Sequence, residues 1–188
     1  DENCFYRTEG KEKYIGIPQH LLENYKERFR PLNAVCEVEK GVWVVPHFTG
    51  GLDEMGRRAH MYRKIGEEFI ADDFAHEQSI VFETEKGLVI FNSCSHGGIA
   101  NIVREVQNAF AGKKIYAVIG GFHMMKLSGM DTLAIPEEEV VETAQELKGL
   151  GVEEIYTGHC TGNIAFGILK KELGEMVHAL GTGETVVF

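Results

Sequence analysis

Three histidines occupy equivalent places in the sequence, each at the end of a short apolar segment. They are His96, His123 and His159, which close the segments 87–96, 115–123 and 154–159. The segments have the length and the β-branched content of buried strands. Because ligands of α/β proteins bind beyond the carboxyl ends of the strands, the three imidazoles are expected to converge. The pattern predicts a metal or catalytic site, although a single histidine after a strand is more often a hydrogen-bonded loop residue.

The residues around these histidines favour tight strand-to-helix turns. Gly97 and Gly98 follow His96, so the backbone can turn sharply and leave a helix N-terminus open to an anion. His159 repeats the arrangement, and Thr161 is the predicted N-cap of the next helix. His123 precedes a loop containing Met and Gly, and for it a simple loop role is the stronger alternative.

Two further groups of side chains could take part. Residues 72–78 contain Asp72 and His76, which we interpret either as a solvated entry to a strand or as groups that support the site or face the substrate. Cys94 and Cys160 could join His96 and His159 in a Cys₂His₂ structural zinc site. That spacing is unusual, and inert buried thiols are the stronger alternative.

Composition narrows the class of protein. The chain has 188 residues, 44% of them hydrophobic, and a formal net charge of −10. Phosphate-backbone binding needs clustered cations, so nucleic acid is not an expected partner. No apolar run approaches the ~20 residues of a membrane span, so no membrane is expected either. Four cysteines without a CxxC spacing indicate a reducing cytoplasm.

The pattern along the chain predicts a single domain, residues 1–188, with a variable region over 1–78 and a β/α half over 79–188. Residues 1–40 are expected to be irregular, and 50–68 a long loop or partial helix. The remaining predicted elements are a strand at 42–45, a hairpin of strands at 79–83 and 87–92, helices near 99–110, 136–148 and 162–173, and a last strand at 185–188. Asp1 in place of a methionine suggests a processed or partial product.

Five motifs, taken together, resemble the metallo-β-lactamase-fold hydrolases, and more closely the branch of dihydropterin-ribofuranosylaminobenzene-phosphate synthase-like proteins. They lie at residues 14–18, 73–79, 92–99, 119–123 and 158–162. The resemblance implies an α/β fold, the αββα sandwich, with one or two metal ions at one edge. Zn is the expected metal, with Mn or Fe as alternatives.

The resemblance also implies roles for single residues. His96 matches the histidine that completes the first metal position, and His159 matches the late histidine of the second. The bridging acid of better-known members falls near His123, which could ligate, contact substrate or pack. His123 and His76 are the expected catalytic, substrate-facing residues. The family's His-x-His-x-Asp-His motif is absent, so the chain looks like the C-terminal two-thirds of the fold, without the first strands.

Three hypotheses for function follow. The leading one is a metal-dependent hydrolase in which a metal-bound hydroxide, its pKa near ~7, attacks a small phosphoester, ester or lactone. The second is a pterin-related transferase or synthase on the same fold. The third is a non-catalytic remnant or subunit. In each case a homo-oligomer or an N-terminal fragment is expected to complete the sheet.

Overall fold

The computed structural model describes residues 3–188. Asp1, from which we expect a processed or partial product, lies outside the described residues. Within that range the chain forms eleven strands and five α-helices. The strands are β1 (Cys4–Thr8), β2 (Lys11–Tyr14), β3 (Cys36–Glu39), β4 (Val42–Pro46), β5 (Met61–Ile65), β6 (Glu68–Ala71), β7 (Gln78–Thr84), β8 (Gly87–Cys94), β9 (Ile115–Gly121), β10 (Glu154–Thr157) and β11 (Val177–Ala179). The helices are α1 (Gln19–Asn24), α2 (Asp53–Arg58), α3 (Ile99–Ala109), α4 (Glu137–Gly149) and α5 (Asn163–Leu173).

Four strands form a small antiparallel sheet in the order β2-β1-β5-β6, and β3 and β4 of the larger sheet lie between β2 and β5 in the chain. The ring of Phe5 makes edge contacts with Tyr14 and Phe69 on one face of the small sheet. The expectation that residues 1–40 are irregular is therefore wrong for β1 and β2, and also for α1 and β3. Charged residues such as Lys11 and Lys13 interrupt the apolar alternation by which strands are recognised.

The larger sheet holds seven strands in the order β11-β10-β9-β8-β7-β4-β3. Strand β4 pairs antiparallel with β7, and β7 antiparallel with β8, so β4 and β8 run in the same direction. Strands β8, β9 and β10 pair in parallel. The carboxyl ends of β4, β8, β9 and β10 consequently lie at one edge of the sheet.

Helices α3, α4 and α5 cover one face of this sheet. Strand residues such as Val81, Ile90 and Val118 form the main core with Val103 of α3 and Leu147 of α4. The alternation of buried side chains along the strands matches their period of two. None of the helices within residues 3–188 has the length and apolarity that crossing a bilayer requires.

The opposite face of the sheet leaves apolar side chains exposed on β7 and β8. Ile80, Phe82 and Phe91 are 41%, 39% and 45% exposed. On β9 and β10 the same face is covered by the C-terminal segment, in which Phe188 packs against Tyr116 and Tyr156. Only part of this face is therefore covered by the described chain.

Several sequence predictions meet the structure directly. The hairpin of β7 and β8, the strand at β4 and the three later helices are confirmed. The predicted last strand at 185–188 is wrong: the chain's last strand is β11, and Phe188 is held by ring contacts without strand pairing. Residues 50–68 contain helix α2, as allowed, but also β5, which we did not predict. Thr161 is not an N-cap, because Gly162 occupies that position and the Thr161 hydroxyl accepts a hydrogen bond from Phe122 N–H.

Candidate functional site

Four histidines follow the four strands that end at one edge of the sheet. His96, His123 and His159 follow β8, β9 and β10, as the sequence predicted. His47 follows β4 and was missed, although it comes directly after the strand that we did predict at 42–45. The signal was the same one that led to the others: a short apolar segment that ends in histidine.

One ring nitrogen of His96 is hydrogen-bonded to a carboxylate. Its Nδ1 donates a hydrogen bond to Oε1 of Glu77, which lies in the loop before β7. Phe74 stacks on the same imidazole at 5.4 Å between ring centroids. Burial disfavours the charged imidazole, but the bond to Glu77 outweighs it, and the pKa of His96 is raised. With Nδ1 engaged, Nε2 is the atom of His96 left to act on a ligand.

A series of buried polar side chains lies next to Glu77 and the turn that carries His96. Nδ1 of His47 lies 3.8 Å from the second oxygen of Glu77, and Nε2 lies 3.3 Å from the Ser79 hydroxyl. Ser79 in turn bonds Asn92, whose amide donates to the Ser95 hydroxyl at 2.9 Å. Burial lowers the pKa of His47 despite the nearby carboxylates. The His47 side chain thus connects to the turn after β8 through Ser79 and Asn92, and its backbone N–H donates to the carbonyl oxygen of Glu77 at 3.0 Å.

His123 and His159 both have a left-handed backbone. Their φ angles are +52° and +49°, a conformation that non-glycine residues seldom adopt. The ring of His123 meets the ring of His96 edge-on, with 4.3 Å between centroids. Such backbone strain costs on the order of 1–3 kcal/mol per residue and tends to occur at functional sites.

Two thiols meet at the same edge. The Sγ atoms of Cys94 and Cys160 are 3.2 Å apart. The thiol of Cys160 donates to Cys94, and this bond, with a further one to His123, lowers the pKa of Cys94 to about 4 despite burial. The same contact, together with burial, raises the pKa of Cys160. Ligand atoms of Cys94, His159 and Cys160 all lie within 4.8 Å of one another.

Glycine at the end of β9 makes room for this contact. A Cβ on Gly121 would lie 2.6 Å from Sγ of Cys160, and one on Gly120 would lie 2.0 Å from the carbonyl oxygen of Asn92. Neither position can carry a side chain without movement of its neighbours. The Gly-Gly pair before Phe122 and His123 is therefore required by the close approach of strands and thiols.

His76 belongs to a different group of side chains. Its Nε2 lies 3.0 Å from the Asp72 carboxylate and 3.6 Å from the buried thiol of Cys4. Ligand atoms of these three residues also fall within 4.8 Å of one another. The sequence indicated Asp72 and His76 as neighbours, but gave no sign of Cys4. His76 does not line the cleft described next.

A cleft of about 250 Å³ opens beside His96 and His123. Its apolar lining includes Met55, Phe122, Met124 and Ile135. Its polar lining includes Ser95, His96 and His123 at the strand ends, and Arg58, Asn101, Glu139, Glu142, Thr143 and Glu146 on the helices α2, α3 and α4. A concavity in which several polar groups converge is a candidate small-molecule site, and this one is more polar than most such sites.

The side chains at the strand ends suit a metal ion. Thiol sulfur and imidazole nitrogen are the donors that Zn²⁺ prefers, and His96 has the carboxylate partner that metal-bound histidines usually have. Gly121 leaves open the space in which the thiols meet. The described residues at this edge therefore fit a divalent metal ion.

Comparison with known proteins agrees with this geometry. No protein-family model matches the chain. A solved structure described as Tm1679, a metal-dependent hydrolase of the β-lactamase superfamily, superposes with a TM-score of 0.70 and 26% identity, over 84% of this chain. The chain has a metallo-β-lactamase fold. The αββα fold class and the resemblance that the five motifs indicated are thereby confirmed.

A curated relative matches the suspected branch of this superfamily. The 7,8-dihydropterin-6-methyl-4-(beta-D-ribofuranosyl)-aminobenzene-5'-phosphate synthase of Methanocaldococcus jannaschii is 35% identical over 128 residues, or 68% of this chain. The chain spans 41% of the length of that synthase and 57% of the length of the solved hydrolase. The metal-dependent neighbour suggests a metal ion for the metallo-β-lactamase fold described here.

The structure brings some of the predicted site residues together and separates others. His96 and His123 are in ring contact and line the same cleft. His159 lies with the two thiols, because its ligand nitrogen is within 4.8 Å of the sulfurs of Cys94 and Cys160. Glu77 was missed as the partner of His96, although the predicted hairpin of β7 and β8 already brings the residues before β7 and after β8 to the same end of the pair. The roles of His96, His159, His123 and His76 stay predictions.

Proposed function

We propose that this chain is part of a metal-dependent hydrolase that acts on a small ester, phosphoester or lactone. The observation that carries the proposal is the pair His96 and His123, in ring contact at the mouth of a cleft, with Glu77 holding Nδ1 of His96. The fold and its metal-dependent neighbour support a hydrolytic role. His96 and His159 would hold the metal, with Zn²⁺ the proposed ion.

When bound, a divalent ion would polarise the scissile group and lower the pKa of a water molecule in the site. The protein's own contribution starts at His96, whose Nδ1 is bonded to Glu77, so that Nε2 is left to act on a ligand. The negative charge of Glu77 also makes Nε2 a stronger donor. The backbone N–H of His47 bonds the carbonyl oxygen of Glu77 at 3.0 Å and so ties the loop that carries this carboxylate to the end of β4.

His123 is placed between the cleft and the metal donors. Its ring lines the cleft, and its backbone, which is left-handed, donates an N–H hydrogen bond to Sγ of Cys160. From this position an imidazole can hydrogen-bond a substrate oxygen and transfer a proton to the leaving group. Phe122 and Met124, on either side, would exclude water from the apolar part of the substrate.

The proposal is tested by metal content and hydrolysis measured on the same samples. We expect near-stoichiometric Zn, Mn or Fe by elemental mass spectrometry, and cleavage of at least one of a p-nitrophenyl ester, a p-nitrophenyl phosphodiester and a simple lactone. His96→Gln and His159→Asn should lower both, whereas His20→Gln, an exposed position on α1, should change neither. Unaltered metal content and activity in both site variants would contradict the proposal.

A second candidate function is a synthase step on a pterin or another phosphorylated small molecule. The support is the 35% identity to the Methanocaldococcus jannaschii synthase. Product analysis by mass spectrometry, with a dihydropterin and a phosphorylated aminobenzene riboside as substrates, separates the two. A joined product favours the synthase, whereas cleavage of the ester panel without joining favours the hydrolase.

The partly exposed sheet face supports a partner that completes the fold. Ile80, Phe82 and Phe91 are exposed on the face opposite the helices, and the chain spans about half of the solved hydrolase. In an αββα sandwich a second sheet covers that face. We therefore assign the face to the N-terminal sheet of the family, with a second copy of this chain as the competing outcome.

A reducing cytoplasm, proposed from the unpaired cysteines, is compatible with the four free thiols.

A further inference from the structure

We propose that Cys94 and Cys160, together with His159, form a thiolate-containing metal site at the carboxyl ends of β8 and β10. Their ligand atoms all lie within 4.8 Å of one another. The inference shares His159 with the proposed function but concerns the ligands of an ion and not the reaction. Metal-binding measurements therefore test it, independently of which substrate the chain hydrolyses.

The backbone brings the two sulfurs together across an intervening strand. Cys94 is the last residue of β8 and pairs with Gly121 of β9, while Cys160 follows β10 on the other side. Because Gly121 has no side chain, Sγ of Cys160 occupies the space that its Cβ would need. The sulfurs consequently approach to 3.2 Å over the β9 backbone.

The surroundings of these thiols differ from those of inert buried cysteines, which pack among apolar side chains. Cys160 is 7% exposed, yet its sulfur contacts the Cys94 thiol and accepts a 3.2 Å hydrogen bond from His123 N–H. Backbone N–H groups directed at sulfur are a common outer shell of metal-bound thiolates. His159 is exposed, so an ion can enter from solvent on that side.

The separation of the sulfurs agrees with a tetrahedral ion. Zn–S bonds of about 2.3 Å place two sulfur ligands about 3.8 Å apart. The thiols of Cys94 and Cys160 need to separate by only about half an ångström to reach that distance. Three protein ligands leave a fourth position, as in catalytic rather than structural zinc sites.

Cobalt substitution tests the site directly, because thiolate bound to Co²⁺ gives a sulfur-to-metal absorption band in the near ultraviolet. The metal-free, reduced chain would be titrated with Co²⁺, and bound cobalt counted after gel filtration. We expect one cobalt ion per chain and an absorption band whose intensity corresponds to two thiolate ligands. Cys94→Ser and Cys160→Ser should each reduce the intensity of this band by about half, and the double variant should abolish it. His159→Asn should weaken cobalt binding about 10-fold or more while the band persists at saturation.

Two matched variants serve as controls. Cys36→Ser, on β3, should leave the band unchanged. Cys4→Ser should do so too, although Cys4 belongs to the other group of candidate ligands, with Asp72 and His76. Circular dichroism of each variant checks that the fold is retained. Protection of Cys94 and Cys160 from iodoacetamide by Zn²⁺, read by peptide mass spectrometry, gives an independent measure in the unmodified protein.

Each outcome bears on one proposal or the other. Bound cobalt without a sulfur band overturns the thiolate site and leaves the proposed hydrolase intact. A band that depends on Cys4 assigns the ion elsewhere and also overturns it, as does the absence of bound cobalt. A full two-thiolate band in a protein that cleaves none of the substrate panel supports the thiolate site and counts against the proposed function.

Discussion

The Glu77 carboxylate bonds Nδ1 of His96 from a loop that precedes the hairpin of β7 and β8. The relationship fixes the tautomer of His96, since the nitrogen that donates to Glu77 must carry the hydrogen. It thereby selects Nε2 as the atom available to a metal or substrate. Histidines that bind metals in proteins usually have such a carboxylate partner.

Replacement of this carboxylate should weaken metal binding. Glu77→Gln keeps the shape and an acceptor oxygen but removes the charge that makes His96 a strong donor. We expect the affinity for Zn²⁺ to fall about 10- to 100-fold, measured by competition with a chromophoric chelator. Glu153→Gln, which removes an exposed carboxylate paired with Lys114, is the matched control and should leave the affinity unchanged. Equal affinities in the Glu77 variant and wild type would exclude this role.

His123 should matter for turnover and not for metal content. Asparagine is the replacement of choice, because it tolerates the left-handed backbone that His123 adopts. We expect His123→Asn to lower kcat about 10²- to 10⁴-fold on whichever ester is cleaved, with the metal content unchanged. A variant that lost its metal in parallel with its activity would identify His123 as a ligand instead.

The His76 cluster should make stability depend on pH. Burial disfavours the charged imidazole, but hydrogen bonds with Asp72 and Cys4 outweigh it and raise the pKa of His76 to about 9. In an unfolded chain the value is about 6.5. Since the folded-state pKa is the higher one, the charged imidazole stabilises the fold fully below about pH 6.5. That contribution declines as the pH rises and is lost above about pH 9.

This dependence is measured by urea denaturation of the metal-free chain. His76→Gln should lower the free energy of unfolding by on the order of 3 kcal/mol near pH 6, and by much less near pH 9.5. His20→Gln on the exposed helix α1 should show no such difference. A loss of the same size at both pH values would mean that His76 contributes through packing and not through its charge.

Much of this site was predictable because strand ends are visible in a sequence. His96, His123 and His159 were found from the apolar segments before them, and the same reasoning would have included His47. Glu77 could have been inferred from the predicted hairpin, whose open end brings it near His96, whereas Cys4 meets His76 only through pairing across 72 residues of chain. The last strand was misplaced because Val187 and Phe188 have the apolar character of a strand, although the structure uses Phe188 for ring contacts.

The contact across Gly121 predicts a stability cost for any side chain there. Gly121→Ala would place a Cβ 2.6 Å from Sγ of Cys160 and 3.2 Å from the carbonyl oxygen of Ser93. We expect a loss of about 1–3 kcal/mol in the free energy of unfolding, measured in urea. Gly149→Ala, at the end of α4, meets no atom within 4 Å and should be neutral or slightly stabilising. Equal stabilities of the two variants would contradict the close approach.

The uncovered sheet face should bind hydrophobic probes. Phe82 and Phe91 are exposed in the described chain, so the dye ANS should fluoresce in its presence. Phe82→Thr with Phe91→Thr should reduce that signal several-fold, whereas Leu127→Thr, at a position 71% exposed on a loop, should not. Sedimentation velocity of the same samples distinguishes the two occupants of this face. A second copy of the chain would double the mass, whereas a face that the N-terminal sheet of the family covers would leave the isolated chain monomeric. Equal dye binding in the double variant and wild type would argue against this face.

The parallel pairing of β8, β9 and β10 has a consequence for how the chain can vary. The spacing of His96, His123 and the thiols is set by main-chain bonds between these strands and not by the loops that follow them. Insertions near Leu127, on the loop after His123, would therefore leave the geometry intact. Deletion of one residue within β9 would turn the side chains on one side of the deletion to the opposite face and displace His123 from His96. Loop length is free to evolve around this centre, whereas strand register is not.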